Sequence, residues 1–342
     1  MKNIRLYKLT FGIISVVTIG GLFSIPVSAQ AASPNVGQGL EISPALVELN
    51  ASRGKTYYVN LNVLNVTTSD LTYDSAVNDF NATSETGSPH VIMGNNSMPS
   101  TASVVTWVSV IPEFTLHSRQ NKAVAVQINI PANAEPGGHY GVIRFSGRAP
   151  EVTDTGVGLS ASAGVLLLIR VDGVINEKAS LSSFFSSRNG EQNFFFENSP
   201  IDFVTRIKNE GNIHLKPTGS IALRDMFGNV VTTIPVNNDK SNVLPASTRR
   251  FESQYKSSWM IGRYTADLTI GYGTTGQAIT NTISFWVIPY RIILSCLFIL
   301  ATIVFIFSRL IKVYNKHIIE KAKNENKIEN KKDTKEKPKG KK

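Results

Sequence analysis

Apolar and polar residues alternate with period two along most of this chain. Tyr57, Val59, Leu61 and Val63 alternate with Tyr58, Asn60 and Asn62, and Val124, Val126, Ile128 and Ile130 with Ala125, Gln127 and Asn129. The same holds for Ile201, Phe203 and Ile207 against Asp202, Arg206 and Lys208, and for Tyr264, Ala266, Leu268 and Ile270 against Thr265, Asp267 and Thr269. A two-residue period sends one side-chain set to a core and the other to solvent, so these runs predict strands. Gly, Pro, Asn and Ser clusters separate them, and between residues 32 and 288 no run has the period of an amphipathic helix. Many short strands with turns between them predict antiparallel β-sandwiches.

The order of segments repeats. YYVNLNVLN (57–65) and IDFVTRIKN (201–209) are alternating strands ending in Asn. LHSRQNKAVAVQINIP (116–131) leads into GGHYGVIRF, as LPASTRRFESQY (244–255) leads into IGRYTADLTIGYG. One more apolar strand closes each half, GVLLLIRVDG (164–173) and ITNTISFWVIP (279–289). The chain of 342 residues is therefore expected to be all-β, with two tandem immunoglobulin-like β-sandwich domains at 32–173 and 174–288 that fold separately. Residues 32–285 contain every strand signal, so a chain cut before Trp286 is expected to stay folded and soluble.

Two apolar runs break the pattern. Lys2, Arg5 and Lys8 precede the apolar stretch Leu9 to Val27, and Ala29-Gln30-Ala31 has the form of a cleavage site, so 1–31 reads as a secretory signal peptide. Ile292 to Phe307 is sixteen residues without a charge. A helix from Trp286 to Ser308 would be about 34 Å long, enough to cross a bilayer core of ~30 Å. Trp286 and Tyr290 fall where an aromatic belt would lie, and Arg309, Lys312 and Lys316 predict a cytoplasmic tail. The expectation is a transmembrane helix at 289–310 and a basic cytoplasmic tail at 311–342, disordered from about Lys316. The protein would then lie in the cell membrane with its N-terminal ectodomain outside.

Charge follows the same division. Of the net +10, the first eight residues carry +3, Arg291 carries +1 and the segment from Arg309 onward carries +8, which leaves −2 for residues 32–290. A basic tail beside a nearly neutral ectodomain argues against nucleic acid as a partner. Cys296 is the sole cysteine and lies in the apolar run, so the ectodomain has no disulfide. That suits a single-membrane bacterium that does not rely on oxidative folding. Asn50, Asn65, Asn81 and Asn95 begin glycosylation sequons, which in an Asn- and Ser-rich chain read as chance.

The segments LEISPALVEL (40–49), NVLNVTTSDLTY (62–73) and WVSVIPEFTLHSRQNKAVAVQINIPANAEPGGHYGVIRF (107–145) resemble the peptidoglycan-binding domain of the WxL-interacting proteins of Gram-positive bacteria. VTRIKNEGNIHLKPTGSIALRDMFGNVV (204–231), NVLPASTRRFE (242–252) and WMIGRYTADLTIGYG (259–273) are similar to their second, host- or partner-binding domain. The resemblance implies a membrane-anchored adhesion protein that binds cell-wall peptidoglycan and either a WxL-domain surface protein or a host extracellular ligand. No Trp-x-Leu occurs in this chain, so the WxL protein would be a separate molecule. The family's Gly-Gly-Ile turn is replaced by Gly137-Gly138-His139-Tyr140, which makes His139 and Tyr140 the candidate ligand contacts.

Catalytic signatures were sought in turn. His90, His117, His139 and His214 lack metal-ligand spacing, and there is no nucleophile elbow. Gly137-Gly138 and Gly156-x-Gly158 lack the strand-loop-helix setting that cradles phosphate and read as bulge or turn glycines. Asp225 with Gly228-Asn229 signals a hairpin, and Trp259, Gly262 and Tyr264 read as core and corner residues. The expected protein is non-catalytic, with no cofactor and no metal. The alternative is a cell-wall hydrolase or other exported enzyme whose site is dispersed over loops.

Overall fold

The computed structural model describes residues 39–93, 103–148 and 161–333. The signal-peptide segment, the Asn95 sequon and Gly156-x-Gly158 lie outside the described residues. Those from Gly39 onward form one compact unit. Its first half contains β1 (Glu41–Ser43), β2 (Leu46–Ala51), β3 (Thr56–Leu64), β4 (Leu71–Asn81), β5 (His90–Val91), β6 (Phe114–Leu116), β7 (Asn121–Asn129), β8 (Gly137–Arg148) and β9 (Ala161–Val171). One sheet runs β1-β3-β7. The other runs β2-β9-β8-β4-β5, with β6 also paired to β4. Leu61, Val63, Val126 and Ile128 from the small sheet meet Tyr73, Phe145, Val165, Leu167 and Ile169 from the large one in a single buried cluster.

The second half contains β10 (Ala179–Arg188), β11 (Glu191–Gln192), β12 (Phe195–Phe196), β13 (Ile201–Asn209), β14 (Thr218–Arg224), β15 (Val230–Val236), β16 (Thr248–Tyr255), β17 (Gly262–Tyr272) and β18 (Gln277–Val287). Its sheets run β11-β10-β13-β16 and β12-β18-β17-β14-β15. Between them Ile201, Phe203, Ile207, Ile221, Leu268 and Phe285 form a separate buried cluster. Fully burying each such side chain stabilises by about 1.5–3 kcal/mol.

The sequence repeat is a repeat of pairing. β3 pairs antiparallel with β7 as β13 does with β16, and β4-β8-β9 recurs as β14-β17-β18. The Asn that ends each repeated strand is fully buried. The Asn65 amide donates to the carbonyls of Ser69, Leu116 and His117, and its Oδ1 accepts from the Thr67 N–H. Asn209 donates to Ile213 and Val243 and accepts from the Gly211 N–H. The Asn65 nitrogen that a glycan would need is thus committed to the fold. The turns before β7 and β16 match as well. Arg119 (φ 60°) and Ala246 (φ 58°) both adopt left-handed backbone, and Gln120 and Ser247 bond back to His117 and Leu244. The structural match is therefore His117 with Leu244, one residue later than aligning the two segments on Leu116 and Leu244 suggests.

Two expectations at the C-terminal end need correction. β18 runs on to Val287, which is fully buried and pairs with Gly262, while Trp286 and Val287 hold β12. A cut before Trp286 therefore removes core. A chain ending at Phe285 is expected to be about 2–3 kcal/mol less stable than one ending at Ile288, read as a difference in unfolding midpoint. Beyond Pro289, α1 (Tyr290–Asp333) is one helix of 44 residues, so the described part of the basic tail is helical rather than disordered. No Gly or Pro occurs from Tyr290 to Lys337, the tail is rich in Lys and Glu, and Lys321 and Glu325 sit four apart on one face. The first part of α1 is long and apolar enough to cross a membrane, and none of it is buried.

Candidate functional site

β8 is a central strand, between β9 and β4, and its burial continues over both faces. One face meets the core of the first half. The other meets the second half, where Phe80, Tyr140 and Leu168 form a small buried cluster with Leu166 and Leu244 against it. His139 and Tyr140 are neighbours on this strand and so point to opposite sides. His139, 2% exposed, points inward with its ring 4.4 Å from Trp107 and Nε2 2.9 Å from the Glu135 carbonyl oxygen. Tyr140, 5% exposed, points outward to Phe80 and His214. Both are buried on a strand rather than exposed on a turn, and both line a cleft that opens between the halves.

Two clefts flank the Phe80–Tyr140 cluster. The first, about 480 Å³, is lined by Glu135, Pro136, Tyr140, Asn212, Leu244 and Ala246 among others. The second, about 340 Å³, is bounded by Glu48, Gly87, Lys216, Asp239, Asn242 and Arg249 among others. Backbone bonds close the seam between the halves. The Gly138 N–H donates to the Asn212 carbonyl at 2.7 Å, and a Cβ at Gly137 (φ 127°) would lie 2.8 Å from that same oxygen. Only glycine allows this approach.

Charges at the seam are spent in pairs. Lys216 Nζ lies 2.5 Å from Glu48 Oε2, Asn242 donates to Glu48 Oε1, and the Arg206 guanidinium embraces Glu85 with Nε 2.8 Å from Oε2. Burial pushes the Glu48 carboxyl up, and the bonds from Lys216 and Asn242 outweigh it, leaving its pKa below the ordinary value. The bond from Arg206 likewise holds Glu85 low. Glu48, Lys216, Glu85 and Arg206 are thus partnered, and the walls combine apolar residues such as Phe80, Tyr140 and Leu244 with Glu135 at the first cleft and Asp239, Lys240 and Arg249 at the second. Among the described residues no group of three or more His, Cys, Asp or Glu is placed to hold a metal.

His214 makes the seam pH-sensitive. Its Nδ1 lies 3.3 Å from the Tyr140 hydroxyl. Burial lowers its pKa below the ordinary 6.5, opposed by Glu48 and reinforced by Lys216 and Arg170. The folded protein thus takes up this proton less readily than the unfolded chain. The associated stability is complete above about pH 6.5 and drains away as pH falls through the folded pKa. Melting scans from pH 8 to 5.5 are expected to show this decline, and His214→Gln should flatten it.

Sequence reasoning did not single out Glu48, Glu85, Arg206 or His214, because nothing local marks residues that meet across 74 to 168 positions. For Asn65 and Asn209 a signal existed, the repeated strand-final Asn. The predicted hairpin forms between β14 and β15, with Gly228 at φ 86° and Asp225 Oδ1 accepting from the Phe227 and Asn229 N–H groups. Tyr264 is a core residue as expected, whereas Trp259 is 60% exposed.

No known family profile matches the chain, and a comparison with characterised proteins finds none similar. Among solved structures, similarity runs to the E. coli chaperone DraB (13% identity, 72% of this chain and 96% of that chain, TM-score 0.33). It runs also to the SafB chaperone in complex with the SafA pilin from Salmonella enterica (13% identity, 73% and 97%, TM-score 0.34) and to the CupB2 chaperone of Pseudomonas aeruginosa (12% identity, 70% and 97%, TM-score 0.29). At these scores the likeness is one of β architecture and brings neither a partner nor an activity to this chain.

Proposed function

We propose that this chain is a membrane-tethered, non-catalytic surface protein. In this reading residues 32–173 bind cell-wall peptidoglycan, and 174–288 bind a protein, either a WxL-domain surface protein or a host ligand. One observation carries the tethered part: the last strand of an all-β body passes, after Ile288 and Pro289, into an unburied helix long and apolar enough to cross a bilayer. The ligand part rests on the resemblance of residues 40–145 and 204–273 to the WxL-interacting proteins. The apolar residues on the wall of the first cleft, Phe80, Tyr140 and Leu244 among them, support a ligand held in part by shape and apolar contact.

The test is co-sedimentation of residues 32–288 with insoluble peptidoglycan at rising salt. Binding is expected to persist, since residues 32–290 carry only −2 and have little to gain from anionic polymer. No soluble fragments should be released. A protein that stays in the supernatant at every salt concentration removes the peptidoglycan reading. Released fragments would favour the hydrolase.

A further inference from the structure

Most of the exposed large apolar residues of the second half gather at one end of it, with Val174 apart at the seam. Strand register shows which end. Gly262, the first residue of β17, pairs with Val287, the last of β18, and Phe195 lies beside Trp286. The Trp286 N–H donates to the Phe194 carbonyl and the Ile288 N–H to the Phe196 carbonyl, each at 2.8 Å. At the β14–β15 turn, Met226 packs so closely over Gly262 that a Cβ there would collide with its terminal methyl. Trp259 and Ile261 lead directly into Gly262. All of these positions are therefore level with the last residues of β18, where α1 begins.

Six of them are exposed: Phe194 (52%), Phe195 (64%), Met226 (52%), Phe227 (82%), Trp259 (60%) and Ile261 (45%). They come from three separate segments of the chain yet form a collar around one point. Trp286 and Tyr290, at 43% and 49%, continue it onto the helix. Arg291 borders it, 3.4 Å from Glu197. Large aromatic residues and methionine beside an arginine are the composition of the zone between headgroups and acyl chains. Left in water, apolar surface is unfavourable in proportion to its area. What covers it must also adjoin the start of α1, and the bilayer that α1 enters is already there.

We propose that this collar is a second lipid-contact site, seated in the interfacial layer of the bilayer and fixing the ectodomain against it. The inference rests on reading α1 as membrane-spanning. The test uses the full chain in phosphatidylcholine–phosphatidylglycerol vesicles. Phe227→Cys in a Cys296→Ala background carries an environment-sensitive fluorophore, and Val110→Cys, at a 94% exposed site in the first half, carries it as comparator. Alkaline carbonate extraction is run on the same vesicles. Expected are retention after carbonate, loss of most of the emission at position 227 when the lipids are brominated just below the headgroup, and no loss at 110. Retention with position 227 unquenched and open to aqueous iodide overturns the collar alone. Release by carbonate overturns the spanning reading, and the collar with it. Protection at 227 that ignores bromination but grows with protein density assigns the surface to a second copy and also overturns the proposal. Phe227 is too exposed for the label to disturb the core, and Trp259→Cys provides the same readout from a different segment.

Discussion

Asn209→Ala is expected to lower stability by about 2–4 kcal/mol, because it strands the buried Ile213 carbonyl and the half-buried Gly211 N–H at about 1–3 kcal/mol per buried group. The Val243 carbonyl loses one of its two donors and keeps the Leu215 N–H. Asn209 is fully buried, so no water replaces the amide. For a folded unit of this size each kcal/mol moves the melting temperature by at least ~2 °C, so a drop of roughly 4–8 °C should be seen. Asn65→Ala, which takes a donor from the Leu116 carbonyl and the acceptor from the Thr67 N–H while the Ser69 and His117 carbonyls keep Thr67 Oγ1 and the Gln120 N–H, should do about as much. A shift within a degree or two for either variant would mean that these corners do not hold the strand ends.

Phe285→Ala should cost about 3–5 kcal/mol, as truncation of a packed aromatic does. Phe285 is fully buried and lies within 5.5–5.9 Å, ring centre to ring centre, of Phe196, Phe203 and Tyr264. The alanine would leave three aromatic neighbours facing a void. The variant also asks whether the halves melt together. Trp107 is buried in the first half, and its near-ultraviolet circular dichroism follows that half alone. The Phe80–Tyr140–Leu168 cluster and the Glu48 and Glu85 pairs bridge the seam, so the Trp107 transition is expected to fall along with the rest. A Trp107 transition that keeps its temperature while the second half melts early would restore two independently folding domains.

The legible and illegible parts of this molecule divide along a physical line. Strands such as β3, β7, β13 and β17 are buried on one face, and one-sided burial writes itself into sequence as alternation. The duplicated order was readable for the same reason. β8 is harder to read because both of its faces are covered, so His139 and Tyr140 resemble turn residues in sequence while the fold buries both on a strand beside the first cleft. The seam itself is built by groups as distant as Glu48 and Asn242, which alternation cannot connect. Trp259 was assigned to a core because tryptophan usually goes there. Its exposure makes sense only once β17, β18 and the β14–β15 turn are seen to end at one level. The tail was judged from its charge, yet continuity with α1 and the lack of any helix breaker prevailed.

Only Ile288 and Pro289 separate the last strand from the helix, a reach of about 7 Å even when fully drawn out. Proline holds one of the few rotatable bonds in that span at a fixed angle. A receptor on a long stalk searches a volume and trades orientation for range. Here the membrane-borne body would have almost no leash, so its clefts would be presented at a constant height and tilt. Any polymer or protein it captures would have to come down to that level, and a pull on the captive would pass straight into the helix instead of being lost in slack.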